Sequence, residues 1–169
     1  DFDHLQSEKS DLMLAAFIHD ESFDMHRYDD RIEAIRRRCE DAVRREYQSA
    51  TCEIYGSRRS GLAHRESDVD ICALIDAPKI EQYEGELDLL CQRAPEGRAA
   101  LDDVCRTLSD LRAKQILTVK SCLKMAGFRY VFSIPRARVP VLKTIDPISD
   151  LSVDVVVNNR NAVLNSKLL

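Results

Sequence analysis

Residues 54–75 read IYGSRRSGLAHRESDVDICALI. Gly56-Ser57 marks a turn, residues 58–67 intervene, and Asp68-Val69-Asp70 follows as acid, apolar, acid. On a strand, side chains i and i+2 share a face, so both carboxylates point one way while Val69 and Ile71 point into the core. Two like charges held that close need a cation. At an effective dielectric of ~20 their repulsion at about 4 Å is roughly 4 kcal/mol, and a hard, oxygen-seeking ion such as Mg²⁺ turns that cost into affinity.

A bare D-x-D also fits a solvent-facing strand edge, so its surroundings decide its meaning. Thr51–Tyr55 (TCEIY) reads as a short strand leading into Gly56-Ser57, where glycine permits a tight turn and close backbone approach. Such a turn presents backbone N–H groups and a serine hydroxyl, which are donors suited to phosphate oxygens. Strand, donor turn, short helix and diacid strand together describe a phosphate site beside a metal site.

At 169 residues, 44% hydrophobic and 32% charged, the chain has the size and composition of one globular domain. It begins at Asp1 and is read as a fragment or processed product. No apolar run approaches the roughly 18 residues that suggest a membrane span, so no membrane partner is expected. The net charge of −4 announces no global basic field. Local clusters exist at Arg36-Arg37-Arg38, Arg44-Arg45, Arg58-Arg59, and Arg136, Arg138 and Lys143. The helical arginines read as solvated faces. Arg58 and Arg59 neighbour the phosphate turn and, with Arg136 and Arg138, are candidate nucleic-acid contacts.

The cysteines at 39, 52, 72, 91, 105 and 122 are scattered, without a C-x-x-C pair, and sit mostly in apolar periodic segments. This usage points to an intracellular, reducing compartment. His4, His19, His26 and Cys39 match no zinc-finger spacing.

Helices are predicted over Lys9–Asp20, Asp29–Ser49, Pro78–Arg93 and Arg98–Ala126, with Asp29 or Asp30 as a cap and Gly127 as a stop signal. Strands are predicted over Asp68–Ile75, Phe128–Ile134, Arg138–Ile145 and Leu151–Val157, and the chain turns helical from Asn158. Interleaved strands and helices around a mixed sheet give an α/β (α+β) layer fold. Residues from Ala77 to about Asp110 are charged, helical and remote in sequence from the motif.

Asp154 is a lone acid in the apolar strand LSVDVVV. A buried acid is expensive unless paired or metal-bound. One reading is an edge-strand aspartate meeting an arginine such as Arg138. The other is a third carboxylate beside Asp68 and Asp70 on a neighbouring strand. With three carboxylates, two Mg²⁺ ions (or Mn²⁺) can bridge a triphosphate and activate an attacking hydroxyl.

Gly56-Ser57-x-x-Ser60-Gly61-Leu62-Ala63-x-x-x-Ser67-Asp68-Val69-Asp70-Ile71-Cys72 resembles the signature of the DNA polymerase β-like nucleotidyltransferase superfamily. Within it, Ala137–Lys143, Asp146–Asp154, Val157-Asn158-Asn159 and Ala162–Ser166 are similar to the terminal RNA uridylyltransferases and non-canonical poly(A) polymerases. The likeness covers about residues 50–169. It implies a palm-type catalytic domain over 29–169 with an extended helical segment at about 78–126. It also implies an N-terminal helical segment, 1–28, packing on a central domain that lies outside this chain, and weak activity for the fragment alone.

By that resemblance Asp68, Asp70 and Asp154 are the metal-binding catalytic triad. Gly56, Ser57, Ser67, Asn165 and Ser166 bind the nucleotide, Asn165 near the ribose 2′-hydroxyl; an ordinary helix-surface position is the other reading of Asn165. The implied activity is template-independent transfer of a nucleotide, UTP favoured over ATP, to the 3′ end of single-stranded RNA, within an RNA-processing complex. A poly(A) polymerase, a small-molecule or protein nucleotidyltransferase, and a non-catalytic RNA-binding scaffold are the other classes.

Overall fold

The computed structural model describes residues 30–58, 67–92 and 98–167; the side chains of residues 58, 98 and 167 lie outside the description. The expected N-terminal segment 1–28, its helix Lys9–Asp20, the three histidines considered with Cys39, Arg59, Ser60–Ala63 and the 94–97 breaker fall outside the described residues. The chain divides into two compact units, Asp1–Ile35 and Arg36–Leu169. Of the first, only residues 30–35 are described, as the start of helix α1 (30–44).

The second unit is built on a five-stranded mixed sheet. Its strands are β1 (Thr51–Tyr55), β2 (Val69–Leu74), β3 (Arg129–Ile134), β4 (Val141–Ile145) and β5 (Ser152–Val157), in the order β1-β2-β5-β4-β3. Only β2 and β5 run parallel. Between them in sequence come α2 (Pro78–Gln92) and α3 (Arg98–Met125), and α4 (Arg160–Lys167) follows β5. The sheet is therefore the mixed, helix-flanked one that the interleaved pattern predicts.

Alternation divides the sheet into two unlike faces. Val69, Ile71, Leu142, Val153 and Val155 are completely buried on one face, as are Ile116, Val119 and Leu123 of α3, which packs against β3, β4 and β5. Ala77, Ile80, Val104 and Leu108 form a separate apolar seam between α2 and α3, closed by the Arg112–Glu84 ion pair at 2.7 Å. α2 and the first half of α3 thus share a seam of their own.

The boundaries shift where backbone chemistry intervenes. The helix expected to reach Ser49 ends at Arg44, and the chain leaves through tight turns in which Arg44 Nε donates to the Ala50 carbonyl at 2.8 Å. The strand expected from Arg138 begins only at Val141, because Pro140 has no N–H for the ladder and residues 135–139 turn. Gly127 does end α3: at φ 88° its N–H bonds the Lys124 carbonyl, and the Phe128 N–H bonds that of Leu123.

The helical arginines are not simply solvated. Arg36 bonds Glu40 and the Cys52 carbonyl, and Glu40 in turn accepts from the Cys52 N–H, which fastens α1 to β1. Arg38 grips Asp146 through two 2.8 Å bonds. Asp146 is fully buried and also accepts from the Ile148 N–H and from the Ser149 N–H and hydroxyl. Burial alone would raise its carboxyl, but Arg38 and Ser149 outweigh burial and hold it below the ordinary value. All six cysteines are free, and Cys39, Cys52, Cys72 and Cys122 are buried as small hydrophobes while Cys91 and Cys105 are exposed. Burial pushes the Cys72 thiol up to about 11.

Removing one partner of a buried pair leaves the other charge stranded, so Arg38→Ala is expected to cost about 3 kcal/mol in urea unfolding at pH 7. Because the folded carboxyl is depressed, its stabilisation is complete above the unfolded pKa of about 3.9 and is lost as pH falls through the folded value. The gap between variant and parent should therefore close in acid, where a protonated Asp146 no longer needs Arg38. A gap that stays constant from pH 7 to pH 3 would contradict this account.

Candidate active site

The site begins where β1 ends. Gly56 sits at φ 73°, in the left-handed region, and a Cβ there would collide with the Asp70 carboxylate, 3.0 Å from its Cγ. Only glycine lets the chain turn this close to that acid. Ser57 follows, half-buried, in the single helical turn Gly56–Arg58. The Gly56 N–H donates to Ser166 Oγ at 2.8 Å, and the Ser166 hydroxyl donates to the Ala162 carbonyl at 2.8 Å. Ser166 thus fastens the turn to α4.

The three aspartates come from β2 and β5. Asp68 is exposed just before β2, while Asp70 and Asp154 are half-buried within their strands. Parallel pairing puts Asp70 directly opposite Asp154. The same row continues on both sides: Tyr55 of β1 faces Asp70, Lys143 of β4 faces Asp154, and Phe132 of β3 faces Lys143. Directly opposed residues share a face, so Tyr55, Asp70, Asp154, Lys143 and Phe132 form one line across all five strands.

β5 is interior, and the partner of Asp154 is Lys143, not Arg138: Lys143 Nζ donates to Asp154 Oδ2 at 2.7 Å. That hydrogen bond and the Asp154 charge raise the lysine above its ordinary value, with Asp68 and Asp70 adding to the effect. On the other side, burial pushes the Tyr55 hydroxyl up, and the charges of Asp70 and Asp154 push it further. All three aspartates thus bear electrostatically on one patch. Among the described residues no group of three or more His, Cys, Asp or Glu is close enough together to hold a metal ion. Lys143 stands at Asp154 as the compensating cation.

The remaining expected residues scatter. Ser67 is half-buried beside Asp68, and Ser57, Ser67, Asp68 and Asp70 all engage neighbours within the protein. Asn165 is exposed in the last turn of α4. The backbone of Arg58 lies in the turn after Gly56. Arg136 is exposed and pairs with Asp110 at 3.4 Å. Arg138 lines a cleft of about 620 Å³ that also includes Glu84 and Arg112 of the helices and Arg160 at the start of α4, and none of Asp68, Asp70 and Asp154 lines it. The structure thus gathers the turn and the acids, and it leaves Arg136 and Arg138 apart from them.

Two contributors escaped the sequence. Lys143 is invisible until β4 is known to pair with β5 in a register that sets it against Asp154. Asn158, at φ 53°, accepts from the Ile75 N–H at 2.9 Å and donates to the Ile75 carbonyl at 3.0 Å, and so locks the far ends of β2 and β5 together.

α4 covers only part of the face that carries the row. Val163 packs on Cys72 and Val156, with Tyr55, Leu74 and Val141 around them. The helix runs from the end of β5 to Gly56 and leaves the Asp70–Asp154–Lys143 line half-open.

Comparison with known proteins places this geometry. The chain is 28% identical over 137 residues to terminal uridylyltransferase 7 of Homo sapiens, covering 81% of this chain and 8% of that protein. It is 28% identical over 116 residues to the poly(A) RNA polymerase cid11 of Schizosaccharomyces pombe, covering 69% of this chain and 18% of the relative. The chain therefore spans under a fifth of the length of these curated relatives. In fold it is similar to the Cid1 poly(U) polymerase solved with Mg and 3′-dATP, with a TM-score of 0.53 and 24% identity over 86% of this chain and 35% of that one. Residues 11–169 match the family described as poly(A) RNA polymerase, mitochondrial-like, central palm domain, and the chain belongs to that family.

Proposed function

We propose that this chain is the catalytic palm of an RNA terminal nucleotidyltransferase that adds nucleotides, UTP in preference to ATP, to the 3′-hydroxyl of single-stranded RNA. The observation that carries the reading is the opposition of Asp70 and Asp154 on parallel strands, with Gly56 turned against Asp70. Membership of the poly(A) RNA polymerase palm family supports RNA as the acceptor. The preference for uridine rests on likeness to terminal uridylyltransferase 7.

The donor set suits hard divalent cations. Aspartates side by side on two strands, one exposed aspartate beside them and a resident lysine are a negative site already in need of positive charge. Asp70 and Asp154, with Asp68 drawn in from the exposed start of β2, would hold two Mg²⁺ ions, which would supply charge neutralisation on the entering and leaving oxygens of a phosphoryl transfer. The turn at Gly56-Ser57 binds and orients the triphosphate. The RNA 3′-oxygen forms its bond to the α-phosphorus, the bond to pyrophosphate breaks, and the hydroxyl proton leaves to solvent. The chain contributes position and electrostatics, and no covalent intermediate on a side chain is needed.

A labelled single-stranded RNA offered with each of the four triphosphates tests the reading. Extension is expected with UTP above ATP, and Asp70→Asn or Asp154→Asn should lower it ~100-fold or more. Full activity in Asp154→Asn would remove the mechanism. Preferred use of ATP would replace uridylyl transfer with adenylyl transfer, and no extension with any triphosphate would favour the RNA-binding scaffold.

Lys143 should compete with metal for Asp154. In Lys143→Met the two carboxylates lose their internal cation, so the rise in melting temperature on adding Mg²⁺ is expected to exceed that of the parent. Since its partner holds the lysine above its ordinary value, the ion pair is complete through the neutral range and is lost only as pH rises through that raised value. An equal or smaller rise in the variant would show that the lysine does not hold the metal's place.

Gly56→Ala should cost roughly 1–3 kcal/mol of stability from its left-handed backbone alone. It should also weaken triphosphate binding, since the added methyl group displaces Asp70. Titration of the variant with a fluorescent triphosphate checks this, and parental affinity would separate the turn from the nucleotide site.

A further inference from the structure

The row that carries the carboxylates does not stop at Lys143. It ends on Phe132 of the edge strand β3, directly opposite Lys143, and Ile134 sits one alternation further along the same face. Phe132 is 60% exposed, Ile134 40% and the adjacent Tyr130 79%. We propose that this apolar end of the row, Phe132 with Ile134 and Tyr130, is the platform on which the 3′-terminal bases of the single-stranded RNA acceptor stack; the proposal rests on the transferase reading above.

Local geometry sets the aromatic ring on this face. The other face of β3 is committed to the interior: Val131 is buried, and Ser133 accepts from Lys120 of α3 at 3.1 Å. The β3–β4 register shifts between Arg129 and Phe132, where Tyr130 takes φ 50°. Bulges of this kind re-aim side chains next to functional sites. Past the bulge, alternation resumes with Phe132 and Ile134 directed away from α3.

Such a surface is costly unless something covers it. Edge strands are normally blunted by charge, and two exposed aromatic rings with an isoleucine are the reverse of that device. Position and chemistry identify what covers it. Phe132 is two strand spacings from Asp154, about 10 Å, so a chain lying on β3 reaches the carboxylates by crossing only Lys143. An acceptor must bring a hydroxyl to Asp154 while keeping its phosphates away from the acids. Bases on Phe132, with a phosphate near Lys143, satisfy both demands. Aromatic stacking tolerates every base, which suits extension without a template. A protein partner seated there would instead block the approach to the carboxylates along this row.

Fluorescence anisotropy of a labelled single-stranded oligoribonucleotide, read without metal or triphosphate, tests the platform. Phe132→Ala is expected to weaken RNA binding about tenfold, Phe132→Trp to restore it, and Ile134→Gln to weaken it by a smaller factor, with the affinity for UTP and the melting temperature unchanged. Asp154→Asn, which removes transfer, should bind RNA at least as tightly as the parent, because it deletes a negative charge beside the acceptor and frees Lys143 from its partner. Parental RNA affinity in Phe132→Ala, no RNA binding by the parent, an equal loss of UTP binding, or a change of oligomeric state in sedimentation would each overturn the platform, the last in favour of a protein contact. RNA binding that depends on Phe132 in a parent unable to extend RNA would leave the platform standing and remove the transferase reading. Extension that ignores Phe132 would do the opposite.

Discussion

Two aspartates opposite one another on adjacent parallel strands set the terms for the rest of the sheet. Asp70 and Asp154 are register partners, one strand spacing of about 4.8 Å apart, on the face that no strand can cover. Their repulsion has to be met locally, and the strand order meets it. β4 lies next to β5 and places Lys143 against Asp154 at 2.7 Å, and β1 lies next to β2 and brings Gly56 against Asp70. A one-residue slip of β5 against β2 would turn Asp154 into the apolar face and Val153 or Val155 out of it. Asn158 guards against that slip by bonding both polar groups of Ile75 across the strand ends.

The two faces of the sheet divide the work. Complete burial of Val69, Ile71, Val153 and Val155 provides the apolar contact that holds β2 and β5 in place while their other faces carry charge. Arg38 and Asp146 tie α1 to the corner between β4 and β5, where Asp146 gathers two backbone N–H groups and the Ser149 hydroxyl. Like-charged strands are thus positioned by contacts that lie on the other face or beyond the strand ends. The charged face is then free to remain half-open.

Much of this was legible in the residues. The alternation of Asp68-Val69-Asp70-Ile71 gives the strand and the separation of acid from apolar, and the lone acid in LSVDVVV gives the second strand. Gly127 gives a helix end, because a left-handed turn leaves a local signature. What could not be read depends on register. Lys143 looks like any basic strand residue until its partner is known, and Arg38 looks like one charge among several until Asp146 comes from 108 positions away. The tie between Ser166 and Gly56 is equally hidden, because it joins residues 110 positions apart.

The line from Tyr55 to Phe132 also explains why the site resembles no enclosed cavity. Enclosure would require helices on the face that carries the acids, and among the described residues α4 covers that face over Cys72 and Val156, with Tyr55, Leu74 and Val141 around them. A polymeric acceptor has to enter and leave by its end, so an open row with apolar, cationic and acidic positions in sequence suits it better than a closed pocket. Along Phe132, Lys143, Asp154 and Asp70 the chemistry passes from exposed aromatic ring to positive charge to carboxylates within three strand spacings. Such a gradient needs four strands in one register. It is therefore a property of the sheet order more than of any one motif, and the mixed topology, with a single parallel pair at its centre, is what produces it.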